Sequence, residues 1–223
     1  MNLDKKLGRE ELLDRAGTLR QRISALGGDR VEIVAVTKGF GSWALRLAAE
    51  CGFQSVGENY AQELKAKWTE LNEEQREAVD VHFIGGMQTN KVRQVAEIVK
   101  VWQTVDRMSL VQELSKRSPG SSVMVQVNLT ENESQGGCHI AEAGQLISLA
   151  TSAGLEVTGL MAIGPQGDAA HIRAAYRELV QLADDQGLHH RSIGMSNDLE
   201  IAIESGSTMV RIGTALFGDR PTR

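Results

Sequence analysis

Residues 31–59 read VEIVAVTKGFGSWALRLAAECGFQSVGEN, and the fold class turns on this stretch. It opens with a β-rich run at 31–38, passes through an amphipathic stretch at 43–51, and returns to a second β-rich run at 53–59. A strand, a helix and a strand in that order form a βαβ unit with parallel strands. The alternation continues outward. Further β-rich runs lie at 81–85, 101–106, 123–128, 157–163, 191–196 and 209–214, with amphipathic stretches at 62–68, 92–99, 110–116, 141–153, 172–183 and 199–204 between them. Eight such runs close into a single (β/α)8 TIM barrel of the α/β class, and an extra N-terminal helix at about 9–26 precedes the first strand. An open doubly wound sheet is the rival, but no Gly-rich dinucleotide turn follows the first run.

Composition narrows the class. A chain of 223 residues suits one domain spanning 1–223, and no Pro/Gly/Ser-rich linker divides it. Hydrophobic residues make up 41%, but aromatics only 4%, so the core must rest on aliphatic side chains. A net charge of −5 argues against a non-specific nucleic-acid binder, which needs a basic face. No apolar run is long enough for a membrane span, and the first residues lack the apolar stretch of a signal peptide. Cys51 and Cys138 are too few for a disulfide scaffold or a zinc site, so a reducing, cytoplasmic location is expected and no metal. The glycosylation sequons at Asn128 and Asn132 are then noise.

The informative feature is where polar residues fall. Lys38, Asn59, Asp106, Asn128, Ser196, Arg211 and Thr214 all sit at the C-terminal ends of the β-rich runs. In a barrel that rim is where chemistry is done, so these seven are expected to converge on one mouth, above a mostly apolar interior. A lysine that continues a buried strand, as in Val34-Ala35-Val36-Thr37-Lys38, is partly desolvated; its pKa falls, and the neutral amine can attack a carbonyl. From position alone, a snorkelling lysine is the blander account. The last run changes the balance. Loops after strands seven and eight are the usual phosphate site of barrels, and Gly213, Thr214 and Ser196 can supply backbone and hydroxyl donors there. Gly213 could instead only relieve crowding, and Ser196 or Asn197 could simply cap the next helix. A phosphate site facing an amine suggests a phosphorylated aldehyde.

Other motifs fail. Gly85 to Lys91 lacks phosphate-loop spacing, and Gly194-Met195-Ser196 has Asp198 where a nucleophile elbow needs glycine. His82 reads as a core histidine, His189-His190 as a solvated pair, Cys138 as unactivated, and Glu131 and Glu133 as a solvated acidic loop.

Taken together, the motifs are similar to a known family. Ala35-Val36-Thr37-Lys38, Gly57-Glu58-Asn59-Tyr60, His82-Phe83-Ile84-Gly85 with Gln88-Thr89-Asn90-Lys91, Gly194-Met195-Ser196-Asn197-Asp198 and Arg211-Ile212-Gly213-Thr214-Ala215-Leu216-Phe217-Gly218 occur in order along the chain. The chain resembles the pyridoxal phosphate homeostasis proteins, single-barrel relatives of the alanine racemase N-terminal domain. The resemblance implies pyridoxal 5′-phosphate as cofactor, held as a Schiff base on Lys38. It further implies that Ser196, Gly213 and Thr214 hold the phosphate, that Arg211 faces the pyridine nitrogen, and that Asn59 lines the pocket. Gly39-Phe40, Gly85-Gly86-Met87 and Gly164 replace proline-containing turns of the family, which bears on the pocket rim.

Two classes of function follow from the resemblance: a carrier and regulator of cellular vitamin B6, or a weak amino-acid racemase or lyase using the cofactor. A racemase of this barrel family needs a second base, normally a tyrosine from an added β domain. This chain runs out at Arg223 just after its last strand, and its tyrosines are Tyr60 and a mid-helix Tyr176. An arginine at the ring nitrogen also weakens the electron sink. The carrier is therefore expected, with no catalytic residue, with apo forms of pyridoxal phosphate enzymes as partners, and as a monomer or weak dimer.

Overall fold

In a computed structural model, which describes residues 7–130, 132 and 135–220, eight parallel strands close into a barrel in the order β1 to β8. The strands are β1 (Glu32–Val36), β2 (Ser55–Glu58), β3 (Asp80–Phe83), β4 (Val99–Val105), β5 (Ser122–Gln126), β6 (Glu156–Met161), β7 (His190–Ser192) and β8 (Met209–Ile212). Closure is direct: Ile33 of β1 lies opposite Val210 of β8, and Ala35 opposite both Ile212 and Val56. The helices are α1 (Arg9–Ala25), α2 (Ser42–Glu50), α3 (Ala61–Thr69), α4 (Glu73–Glu77), α5 (Thr89–Val92), α6 (Met108–Arg117), α7 (Ile140–Ser152), α8 (Ala169–Asp185), α9 (Leu199–Glu204) and α10 (Thr214–Phe217).

Strands buried on both faces have no polar side, and the two faces meet different cores. Ile33, Ala35, Val123, Val125, Leu160 and Val210 belong to the layer between sheet and helices. Their sequence neighbours Val34, Met124, Met161 and Met209 form a separate plug inside the barrel. The extra helix α1 buries Leu12, Ala16, Leu19 and Ile23, spaced by three and four residues as a helical stripe requires, and Arg15 donates to the Leu216 carbonyl in α10.

Three expectations change. The helix expected at 92–99 is α5 followed by turns: Val95 N–H bonds the Val92 carbonyl and Ile98 N–H that of Val95, three residues back. Val92, Val95, Ile98 and Val99 are β-branched and crowd a helix at χ1, yet the same apolar spacing survives in tighter turns. The run at 191–196 is a strand only to Ser192, because Gly194 takes φ +101° and turns the chain. The barrel interior is also less apolar than expected, for it encloses His82, Gln103, Ser192 and Arg211. Glu131 and Glu133 lie outside the described residues.

Candidate functional site

A cavity of about 570 Å3 opens at the C-terminal mouth, over β8, β1 and β2 and beside the turn after β7. Alternation along the strands decides what lines it. In β1, Val34 points into the plug, so Val36 and then Lys38 follow on the inner side. In the same way Met161 is followed by Ile163, and Met209 by Arg211 and Gly213. A Cβ on Gly57 would touch Val34 and Val36, and two residues on comes Asn59. All six residues expected to form the site, Lys38, Asn59, Ser196, Arg211, Gly213 and Thr214, line this one cavity.

Two of the seven polar residues expected at one mouth do not reach it. Asp106 pairs with Arg107 at 2.6 Å, and Asn128 accepts from the Thr130 N–H at 2.9 Å and faces a different cavity. One residue was missed. Arg220, past α10, folds back over the mouth and lies against Gly39, whose added Cβ would sit 3.0 Å from the Arg220 Cδ. Gly39 has φ +77°, so a side chain there would be strained as well as crowded. Nothing periodic in the sequence marks Arg220, because its placement depends on the tail turning back.

Lys38 lies in the turn after β1, two residues beyond the strand. Burial lowers its pKa from the ordinary lysine value; the positive charges of Arg220 and Arg211 lower it further, and Glu58 opposes them. Arg211 is buried, and its acceptors among the described residues are neutral: one terminal nitrogen donates to the Ser192 carbonyl at 2.5 Å and to its Oγ at 2.8 Å, the other to the Ala162 carbonyl at 2.8 Å. Burial lowers its pKa from the ordinary arginine value, offset in part by Tyr176 and Asp198. The Ser192 hydroxyl donates to the Gln103 Oε1 at 2.7 Å, and the Gln103 amide nitrogen meets the His82 Nδ1 at 2.7 Å. Burial, with His190 nearby, pushes His82 down to about 4, so it accepts as a neutral ring. His82 is thus a satisfied interior histidine, as expected.

The turn carrying Ser196 is braced from behind. Asp198 accepts the Met195 N–H at 2.6 Å through one carboxylate oxygen and the buried Tyr176 hydroxyl through the other. The position before α9 is therefore Asp198 itself, whose carboxylate is turned to this brace; Ser196 and Asn197 lie earlier in the turn and do not occupy it. Gly164 leaves room for the pair, since a Cβ there would stand 2.4 Å from the Tyr176 hydroxyl. Burial pushes Tyr176 far above the usual tyrosine range. Cys138 is likewise pushed up, to about 11, mainly by burial, so it is not an activated thiol.

Two details bear on what the cavity can hold. The Asn59 Oδ1 is buried with no hydrogen-bond partner among the described residues, backed by Gly85, where a Cβ would stand 2.4 Å from the Asn59 carbonyl oxygen. Gly213 has an ordinary φ of −113°, and a Cβ on it would meet only Val36 at normal contact distance. Crowding therefore does not require that glycine. Among the described lining residues the charged groups are Lys38, Arg211 and Arg220, with no carboxylate. The mouth suits an anion bearing a carbonyl.

A family model described as alanine racemase, N-terminal domain, matches residues 11–221. The pyridoxal phosphate homeostasis protein of Pseudomonas aeruginosa is 38% identical over 221 residues, 95% of each chain. That of Escherichia coli is 35% identical over 204 residues, covering 86% of this chain and 87% of its own. Among solved structures, PipY of Synechococcus elongatus with PLP bound is 28% identical, with a TM-score of 0.78 over 93% of this chain and all of that one. Alanine racemase of Corynebacterium glutamicum shares the fold, with a TM-score of 0.74 at 16% identity, over 97% of this chain and 63% of that one. The chain belongs to the alanine racemase N-terminal-domain family and, within it, to the pyridoxal phosphate homeostasis proteins.

Proposed function

We propose that this protein binds pyridoxal 5′-phosphate at the mouth of its barrel and serves cellular vitamin B6 homeostasis as a carrier and regulator. The observation that carries the reading is the cavity with three cations and no carboxylate among its described lining residues, one of the cations being a half-buried lysine with a lowered pKa. In this reading the Lys38 amine would hold the aldehyde as a Schiff base, and Ser196, Gly213 and Thr214 would hold the phosphate. A neutral amine is required for that attack, and the burial of Lys38 favours it. The first N–H groups of α10 lack partners within the helix and are suited to phosphate oxygens. Arg211 would face the pyridine nitrogen, and Asn59 would line the ring pocket. The relative from Synechococcus elongatus, solved with PLP bound, supports the same ligand.

Bound there, the cofactor supplies an electrophilic aldehyde carbon and an electron-withdrawing ring. Arg211 works against the second property. It cannot give up its proton to a ring nitrogen in the way a carboxylic acid can, so it would leave that nitrogen unprotonated and the ring a weaker electron sink. The Tyr176 hydroxyl is committed to Asp198 and is not poised as a second base. Storage and delivery of the cofactor to apo-enzymes in the cytoplasm fits this arrangement better than amino-acid turnover does. No described helix is long and apolar enough to cross a membrane.

The test is the visible spectrum of the purified protein with pyridoxal 5′-phosphate, before and after borohydride, with the adduct mapped by peptide. An adduct on Lys38 is expected; one on Lys91 or Lys100 would displace the site. Incubation with amino acids in deuterated water is expected to give negligible α-proton exchange. Rapid exchange abolished by Lys38→Ala would make the protein a racemase or lyase instead.

A further inference from the structure

Behind Lys38, on the outer side of the barrel, lies a buried ionic cluster that the proposed site does not use. Lys67 of α3 is only 4% exposed and Glu58 of β2 is fully enclosed, and their side chains meet at 2.7 Å. A buried lysine or glutamate is costly unless paired, and one partner of a broken pair is left uncompensated. Apolar residues of similar volume often fill such a space at no greater cost, so the pair invites an account beyond packing. Its geometry supplies one.

The Lys67 ammonium has three partners. It donates to Glu58 Oε1, to Glu63 Oε1 at 2.5 Å, and to the backbone carbonyl of Thr37 at 2.8 Å. Glu63 in turn accepts the backbone N–H of Gly39 at 2.7 Å. The Thr37 carbonyl belongs to the peptide group before Lys38, and the Gly39 N–H to the one after it. Both peptide planes flanking Lys38 are thus held by side chains of a single helix, α3. The Thr37 hydroxyl adds a third tie, donating to Glu58 Oε1 at 2.6 Å, and the Thr37 N–H continues the β1–β2 ladder to the Gly57 carbonyl at 3.0 Å. On the far side the turn is closed by Phe40, packed against Trp43 and Phe217.

Alternation explains why this cluster and the cofactor mouth lie back to back. Val34, Val36 and Lys38 face inward, so Thr37 faces out; Gly57 and Asn59 face inward, so Glu58 faces out beneath α3. The lysine is exposed to the mouth while the peptides that carry it are gripped from behind.

The geometry points to Lys67 as a positioning residue, which with Glu58 and Glu63 fixes the backbone at Lys38 so that its amine meets the aldehyde of a ligand seated in the mouth. This inference rests on the proposed binding of pyridoxal 5′-phosphate. Capture joins the Lys38 nitrogen to the aldehyde carbon; the aldehyde oxygen leaves as water, carrying two protons from the amine. A nitrogen displaced by even an ångström meets the carbon at the wrong angle, and such misplacement costs up to about a hundredfold. Phosphate and ring contacts from β8 and the turn after β7 do not depend on α3.

The experiment compares two ligands that differ only at the reacting carbon. Pyridoxal 5′-phosphate can form the bond to Lys38, whereas pyridoxamine 5′-phosphate carries an amine there and can only occupy the pocket. Lys67→Met, Lys67→Arg and Glu63→Ala are each tested, with melting temperature as a check on folding. Lys67→Met is expected to weaken borohydride-trappable binding of the aldehyde about ten- to hundredfold while changing pyridoxamine 5′-phosphate affinity by less than about twofold. Lys67→Arg should restore much of the loss. Glu63 is 21% exposed and tolerates truncation more readily; Glu63→Ala should show the same split, smaller in size. It decides the question if Lys67→Met does not fold. Equal weakening of both ligands, or no weakening of either in a folded variant, overturns the positioning role. If the unaltered protein forms no adduct on Lys38, the binding reading itself falls, a result distinct from either.

Discussion

Two cavities on the C-terminal rim of the barrel differ in character, and the larger of the two holds none of the cations among its described lining residues. The opening around β8, β1 and β2 measures about 570 Å3 and gathers Lys38, Arg211 and Arg220. The opening beyond β5 and β6 measures about 780 Å3 and is bordered by Asn128, Thr130, His139, Gln166, His171 and Glu178, with no lysine or arginine among its described lining residues. Size is a sound first guide to a binding site, but it counts only with convergent polar groups of shifted pKa. Here the smaller cavity has an amine made less basic by burial, a buried guanidinium hydrogen-bonded to neutral groups, and an asparagine oxygen with no hydrogen-bond partner among the described residues. The larger has polar side chains already spent on their own loop: Asn128 is tied to Thr130 and to the Asn132 carbonyl.

The sharpest way to break this contrast is Lys38→Ala. It should abolish the borohydride-trapped adduct completely, as judged by intact mass, because Lys38 is the one lysine among the described residues that line the smaller cavity. An adduct of undiminished yield would move the chemistry elsewhere. A smaller effect is expected for Thr214→Val. Loss of a hydroxyl donor to a charged acceptor costs about 1.5–3 kcal/mol, so retention of pyridoxal 5′-phosphate should fall far more than that of unphosphorylated pyridoxal. Equal losses would place the phosphate away from α10.

A third test sets the electrostatics of the mouth. Capture needs the neutral amine, so its rate should rise with pH and level off above the pKa of Lys38. Arg220 lowers that pKa. Arg220→Gln removes a cation, lets the pKa rise, and should move the midpoint of the pH–rate curve to higher pH, slowing capture at neutral pH. A midpoint that stays or falls would exclude Arg220 from the site's field. The smallest effect belongs to the other cavity. His171→Ala and Gln166→Ala should leave cofactor retention within about twofold, as substitutions remote from a site do. A larger change would tie the two cavities together.

The fold was legible because a βαβ alternation is a local signal repeated eight times. That Lys38, Asn59, Arg211, Gly213, Thr214 and Ser196 would line one cavity was legible because a barrel places strand-end residues at one mouth, and because their motifs resemble those of a known family. Asp106 and Asn128 misled for the same reason: the strand-end rule brings residues to the rim but does not say which sector of it they serve. The end of β7 was misplaced because Gly194 reads equally well as a strand or a turn residue until its φ is known.

By itself the sequence determined which residues share a face. Period-two alternation is set by the extended backbone, so within β1 Val34 and Val36 must point one way and Ile33 and Ala35 the other, whatever the rest of the chain does. Tertiary structure alone decided what those faces meet. Barrel closure sets β8 against β1, bringing Arg211 near Lys38 across more than 170 residues, and stacks His82, Gln103 and Ser192 into the chain that holds Arg211. The return of the tail brings in Arg220, and the docking of α3 on β2 delivers Lys67 to the peptides beside Lys38. Contacts of that kind have no period along the chain, because they depend on strand register and helix docking rather than on local conformation.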